Sequence, residues 1–286
     1  MFVHYQKSNF VRFMLVFVLL TGLLGISPLD LAMAAPGDLT RVSVSSTGTQ
    51  GNGTSGGSSI SGDGRYVVFD SAASNLVLND TNSNWDVFLR DRQTGTTERV
   101  SISSSGVQGN GISSAPSVSA DGRYILYRSY ATNLVSGDTN GMADFFLFDR
   151  QAQLTTRVSV DSDGVQGNGS AGYGHLSASG RYVVFSAGSS NLVPGDTNVK
   201  IDVFLHDNQT RSTTRISVAP NGQQGNGDSY YPFISDDERF VVFDSFASNL
   251  VEFDTNGNSD IFLYDIETGS ISRGSVSSDG VEGNAD

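Results

Sequence analysis

From about residue 38 onward the apolar residues fall in short runs separated by Gly-, Ser-, Asn- and Asp-rich stretches, and helical spacing is absent. In one segment, residues 115–119 form a short run that ends in an Ala120-Asp121-Gly122 turn. Arg123-Tyr-Ile-Leu-Tyr-Arg128 follows as a β-prone run of branched and aromatic residues. Asp144-Phe-Phe-Leu-Phe-Asp149 is a third run, closed by a polar turn at Arg150-Gln151-Ala152. Thr156-Arg-Val-Ser-Val160 then alternates with period two, as a half-buried strand does. The pattern predicts four strands, A to D, joined as hairpins.

This unit recurs. Arg65, Arg123, Arg181 and Arg239 keep one step of 58 residues, and so do Asn52, Asn110, Asn168, Asn226 and Asn284. Four consecutive copies without an insertion or deletion mark each copy as a structural unit that makes equivalent contacts with its neighbours. The prediction is an all-β fold, a β-propeller of four-stranded antiparallel blades, with repeats at about 41–98, 99–156, 157–214 and 215–272 and a partial copy at 273–286. An additional D-like strand is expected at Leu39–Ser45, and the last copy has its own D strand at Ser270–Ser277. Four complete blades plus this strand imply a four-bladed ring, a partial ring, or a homo-oligomer that completes one.

The motifs Ser-Ala-Asp-Gly-Arg-Tyr at 119–124 and Asp-Val-Phe-Leu-Arg-Asp-Arg-Gln-Thr-Gly at 86–95 resemble the PD40 class of WD40-like repeats found in TolB-like β-propellers. The resemblance covers residues 38–286, with a longer loop between strands B and C than is usual. It implies a secreted or periplasmic propeller that acts as a binding platform.

The first residues differ in kind. Lys7 and Arg12 precede an apolar run, Phe13–Ile26, and Ala32-Met33-Ala34 follows as a small-x-small cleavage site. This three-part pattern predicts a secretory signal peptide over 1–34, with the propeller occupying 35–286. The run is too short to cross a bilayer as a helix, so no membrane span is expected after cleavage. Thirty acidic against 17 basic residues give a net charge of −13. That excludes nucleic acid as a natural partner, and the absence of cysteine excludes disulfides and thiolate chemistry.

Up-and-down connectivity puts the tight A–B and C–D turns on one face and the long B–C and D–A loops on the other. The B–C loops carry the main candidate chemistry: Asp80, Asn82 and Asp86; Asp138, Asn140 and Asp144; Asp196, Asn198 and Asp202; Asp254, Asn256 and Asp260. Oxygen ligands at positions 1, 3 and 7 suit a hard cation, calcium before magnesium. The same residues also make Asx-turns that need no metal. Gln50-Gly-Asn52-Gly and its copies either contact a glycan or supply positive-φ turns between blades, and Arg65 and its equivalents are expected to pair with blade carboxylates.

Catalysis requires one asymmetric cluster, so an active site would interrupt the repeat. The interruptions are His175, His206, Arg128, Ser186 and Trp85, and no Ser-His-Asp or paired-carboxylate order surrounds them. The expected function is therefore a secreted, non-enzymatic propeller that binds a protein or carbohydrate at its loop face, requires no cofactor, and uses Ca²⁺ if the acidic loops hold it. The alternatives are a hydrolase or lyase with a pocket on that face, and a structural cell-surface or adhesive protein.

Overall fold

The computed structural model describes residues 39–283. The chain divides into two units, Met1–Thr40 and Arg41–Asp286, and the architecture described here belongs to the second. The signal peptide expected at 1–34 lies outside the described residues.

Four antiparallel sheets follow one another along the chain. Blade 1 comprises β1 (Ser55–Ile60), β2 (Tyr66–Ser71), β3 (Asp86–Asp91) and β4 (Thr96–Arg99). Blade 2 comprises β5 (Ser113–Val118), β6 (Tyr124–Ser129), β7 (Asp144–Asp149) and β8 (Leu154–Arg157). Blade 3 comprises β9 (Ala171–Leu176), β10 (Tyr182–Ala187), β11 (Asp202–Asp207) and β12 (Ser212–Arg215). Blade 4 comprises β13 (Ser229–Ile234), β14 (Phe240–Ser245), β15 (Asp260–Asp265) and β16 (Ile271–Arg273). Strands pair in sequence order in every sheet, so the predicted β-propeller blade is present four times.

The inner strands β1, β5, β9 and β13 pack on one another in succession, and no comparable packing joins blade 4 to blade 1. The four blades therefore form an open arc. The central strands of blades 1 to 3 are buried on both faces, which explains why their sequences are continuous apolar runs. Alternate residues serve different joints. In β6, Ile125 and Tyr127 pack with Val68 and Leu89 of blade 1, while Leu126 packs with Val183 and Phe185 of blade 3. Each blade also has one cross-strand aromatic pair: Phe69–Phe88, Tyr127–Phe146, Phe185–Phe204 and Phe243–Phe262, with centroids 5.6–6.0 Å apart.

Backbone bonds add to each joint. The amides of Ser113, Ala171 and Ser229 donate to the carbonyls of Trp85, Ala143 and Ile201 of the preceding blade, each at 2.8 Å. Within the blade, the Arg65 guanidinium grips Asp91 through two bonds of 3.0 and 2.7 Å. Arg123–Asp149, Arg181–Asp207 and Arg239–Asp265 repeat this pair, as expected for these arginines.

Two expectations need correction. The outer strands are shorter than the alternation suggests, because a serine hydroxyl takes over from the ladder. In blade 2 the Ser159 Oγ accepts the Phe145 amide at 3.1 Å and donates to Asp144 at 2.6 Å, so the chain turns away after Arg157. In blade 4 Ser275 does the same with Ile261 and Asp260, so β16 ends at Arg273 rather than at Ser277. The segment Leu39–Ser45 is not a D strand either. Its only ladder feature is a bridge from Val44 to Gln50, which recurs in every linker as Ile102–Gln108, Val160–Gln166, Val218–Gln224 and Val276–Glu282.

Candidate functional site

The acidic B–C loops are clasped by arginine. Nη1 of Arg99, at the end of β4, lies 3.2 Å from Asp80 and 3.1 Å from Asp86. Arg157 lies 3.3 Å from both Asp138 and Asp144, Arg215 lies 3.0 and 3.3 Å from Asp196 and Asp202, and Arg273 lies 3.5 and 3.4 Å from Asp254 and Asp260. The Asn82 amide nitrogen donates to Asp86 at 2.9 Å, and its oxygen accepts the Asn84 amide in an Asx-turn. Asn140, Asn198 and Asn256 act alike.

A calcium shell takes 6 to 8 oxygens, whereas here a guanidinium stands between the two carboxylates and the asparagine presents NH₂ to one of them. Among the described residues no group of three or more acidic or histidine side chains is arranged to hold a metal ion. Burial pushes the Asp80, Asp138, Asp202 and Asp254 carboxyls up, and the neighbouring arginine pulls each one back.

The Gln-Gly-Asn-Gly linkers are also engaged internally. Gln108 accepts from Arg99 of blade 1 at 2.6 Å and donates to Thr81 of the same blade at 2.7 Å. Two residues later, the Asn110 amide donates to Asn133 of blade 2, and its side chain accepts the Thr132 amide and donates to the Thr132 hydroxyl. Asn133 in turn donates to the Gln108 carbonyl. The glutamine faces the preceding blade and the asparagine the following one. The second glycine is required for close approach rather than for positive φ: a Cβ on Gly53 would lie 2.6 Å from the Ala72 carbonyl. The positive-φ glycines are those of the preceding turn, such as Gly106 at φ 80°.

His206 is buried beside a cleft of about 1130 Å³ lined by residues of blades 2 and 3. Its Nδ1 meets the Thr213 hydroxyl at 2.8 Å. Burial pushes it down to about 4, against the pull of Asp207, so it is neutral at pH 7. His175 has a buried Nδ1 without a partner and lies 5.0 Å from the Phe233 ring.

A different cluster stands out where the inner strands and the ends of the B strands emerge at the loop face. Tyr130, Tyr173, Tyr231 and Phe246 are each about half exposed. The Tyr173 and Tyr231 rings are 4.0 Å apart with their hydroxyls hydrogen-bonded at 3.0 Å. Arg128 lies over the Tyr130 ring at 4.9 Å, donates to its hydroxyl at 2.8 Å, and also donates to the Ala171 carbonyl of blade 3 at 2.7 Å. Tyr231 has φ 48°, at a bulge in the β13–β14 pairing. On the B–C loops, Leu78, Val199 and Phe253 are almost fully exposed, the last two at φ 55° and 60°. Strained, exposed apolar residues of this kind concentrate at functional surfaces. Arg128 was legible as a break in the repeat. The tyrosines carry the same signal: Tyr130 replaces Ala72 and Gly188, and Tyr173 and Tyr231 replace Gly57 and Ala115.

No family model matches the chain, and no curated protein does. Among solved structures it is similar to TolB from Acinetobacter baumannii, with TM-score 0.48 and 19% identity over 77% of this chain and 43% of that one. It is also similar to a putative TolB from Agrobacterium tumefaciens, with TM-score 0.46 and 15% identity over 75% and 62%. The β-propeller domain of the Trilobed protease from Pyrococcus furiosus aligns with TM-score 0.46 and 9% identity over 79% and 58%. The chain thus spans about half the length of these proteins.

Proposed function

We propose that this chain is a secreted, non-enzymatic binding module of the PD40 propeller type, which holds a protein ligand against the tyrosine and arginine surface at its loop face. The observation that carries the reading is the exposure of Tyr130, Tyr173 and Tyr231 beside Arg128, at positions where other copies have Ala or Gly. Tyrosine and arginine are the residue types over-represented in protein interfaces, because each offers a large, stiff contact area with a polar end. Secretion rests on the Lys7–Ala34 leader pattern.

The acidic loops then act as structural clasps, with arginine in the place a calcium ion would take. Tyr173→Ala with Tyr231→Ala should abolish capture of the protein ligand while leaving the melting temperature within a few degrees of the parent. Undiminished capture by this double variant would refute the surface assignment. Binding on a glycan array that is lost in the same variant would instead establish a carbohydrate ligand.

A further inference from the structure

Each B–C loop turns two corners in left-handed backbone. The first corner is Asn79, Gly137, Gly195 or Phe253 and the second is Ser83, Gly141, Val199 or Gly257, all at φ 55–73°. Glycine holds half of these positions, and a Cβ built on any of the four glycines meets no atom within 4 Å. A side chain at a corner therefore gains no packing, and a branched or bulky one strains the backbone. Phe253 and Val199 nevertheless occupy one corner each and are 83% and 93% exposed. Neither residue serves the fold. The other two loops carry the same kind of residue beside a corner: Leu78 precedes the first corner of blade 1 and is 90% exposed, and Met142 follows the second corner of blade 2 and is 43% exposed.

Every loop thus presents one exposed Leu, Met, Val or Phe at or beside a corner, but at four different places: two residues before Asp80, four after Asp138, three after Asp196 and one before Asp254. A protein partner reads fixed positions, whereas a fluid layer requires only that apolar groups reach it. Charge points the same way. Residues 71–85, 129–143, 187–201 and 245–259 contain Asp80, Asp138, Asp196 and Asp254, each 3–4% exposed and paired with its arginine, and beyond these only Lys200 and Glu252. The loops therefore offer solvent one charge of each sign on a chain of net charge −13. Isolated apolar tips on such a surface, with the half-exposed aromatics Tyr130 and Phe246 at the loop bases, suit the interface of a bilayer. We infer that the B–C loops form a lipid-contacting surface, on which Leu78, Met142, Val199 and Phe253 enter the boundary between headgroups and acyl chains of a zwitterionic membrane. The contact is peripheral and reversible, and it draws on apolar burial rather than on charge.

The test mixes the full chain with phosphatidylcholine vesicles and separates bound protein by sedimentation. The parent is expected to bind, and binding should not fall as salt rises from about 0.1 to 1 M, because screening acts on charge. Val199→Gly with Phe253→Gly should weaken binding about a hundredfold, roughly tenfold for each side chain withdrawn from lipid. The same variant should melt at or above the parent temperature, since glycine relieves both corners. Binding that falls while stability holds or rises separates a role at the membrane from a role in folding. Leu78→Ser with Met142→Ser should weaken binding as well. A parent that does not sediment with the vesicles, binding retained by the glycine variant, or binding abolished by salt would overturn the proposal. Absence of vesicle binding together with weaker capture of a protein ligand by the glycine variant would assign the loop tips to that ligand instead.

Discussion

Arg157 holds two carboxylates that have almost no access to water: its own side chain is 9% exposed and those of Asp138 and Asp144 are 3% and 1%. Removing one partner from such a group leaves uncompensated buried charge, which costs about 3–5 kcal/mol. Arg157→Ala should therefore lower unfolding stability by that amount in a urea titration. Calcium at millimolar concentration should raise the melting temperature of this variant and leave the parent unchanged, since only the variant lacks a positive charge between the two aspartates. A calcium shift in the parent would favour the metal reading over the arginine clasp. Gly53→Ala tests close approach: a Cβ 2.6 Å from the Ala72 carbonyl forces the backbone apart, at about 1–3 kcal/mol. At Gly106, where no atom lies within 4 Å, the same change meets only the positive-φ penalty, roughly 1 kcal/mol. The spacing made the aspartates and asparagines of the loops legible but not their partner. Arg99, Arg157, Arg215 and Arg273 keep the same step of 58 residues, and a repeated cation in register with a repeated pair of anions was the signal for an internal clasp.

Within a blade, the paired turns on the face opposite the long loops depend on one carboxylate. Burial pushes Asp91 up, but bonds from Arg65 and from the Gln93 and Thr94 amides outweigh it and hold the group down at about 2. A free aspartate titrates near 3.9. The folded value is the lower, so Asp91 contributes fully above about pH 4, and the contribution disappears as pH falls toward 2. Asp149, Asp207 and Asp265 are lowered in the same sense. Urea midpoints should fall through this window, and Asp91→Asn should be less stable at pH 6 and lose less than the parent on acidification. Strands B and C were legible because burial on two faces demands uninterrupted apolar runs. The end of strand D was not, because alternation in sequence continues past the point where the Ser159 hydroxyl replaces a ladder bond.

At the level of the whole molecule, stability is distributed over equivalent joints. Deleting residues 99–156, one full repeat, should leave a folded three-blade arc with a urea m-value roughly three quarters of the parent. Deleting half that length should give a chain that does not fold cooperatively. The repeat made the number of blades legible, but not that they form an open arc. Closure depends on the angle between successive blades, which no residue spacing encodes.

The linkers have a further consequence. Gln108 reaches back 27 residues to Thr81, Asn110 reaches forward 23 to Asn133, and the Val118 amide reaches back 59 to the Ser59 hydroxyl. Every one of these fastenings spans about one repeat or less, so no part of a blade waits for a distant segment of chain. Such a molecule can set vectorially, each blade closing on the one before it as the polypeptide emerges from the ribosome or the translocation channel.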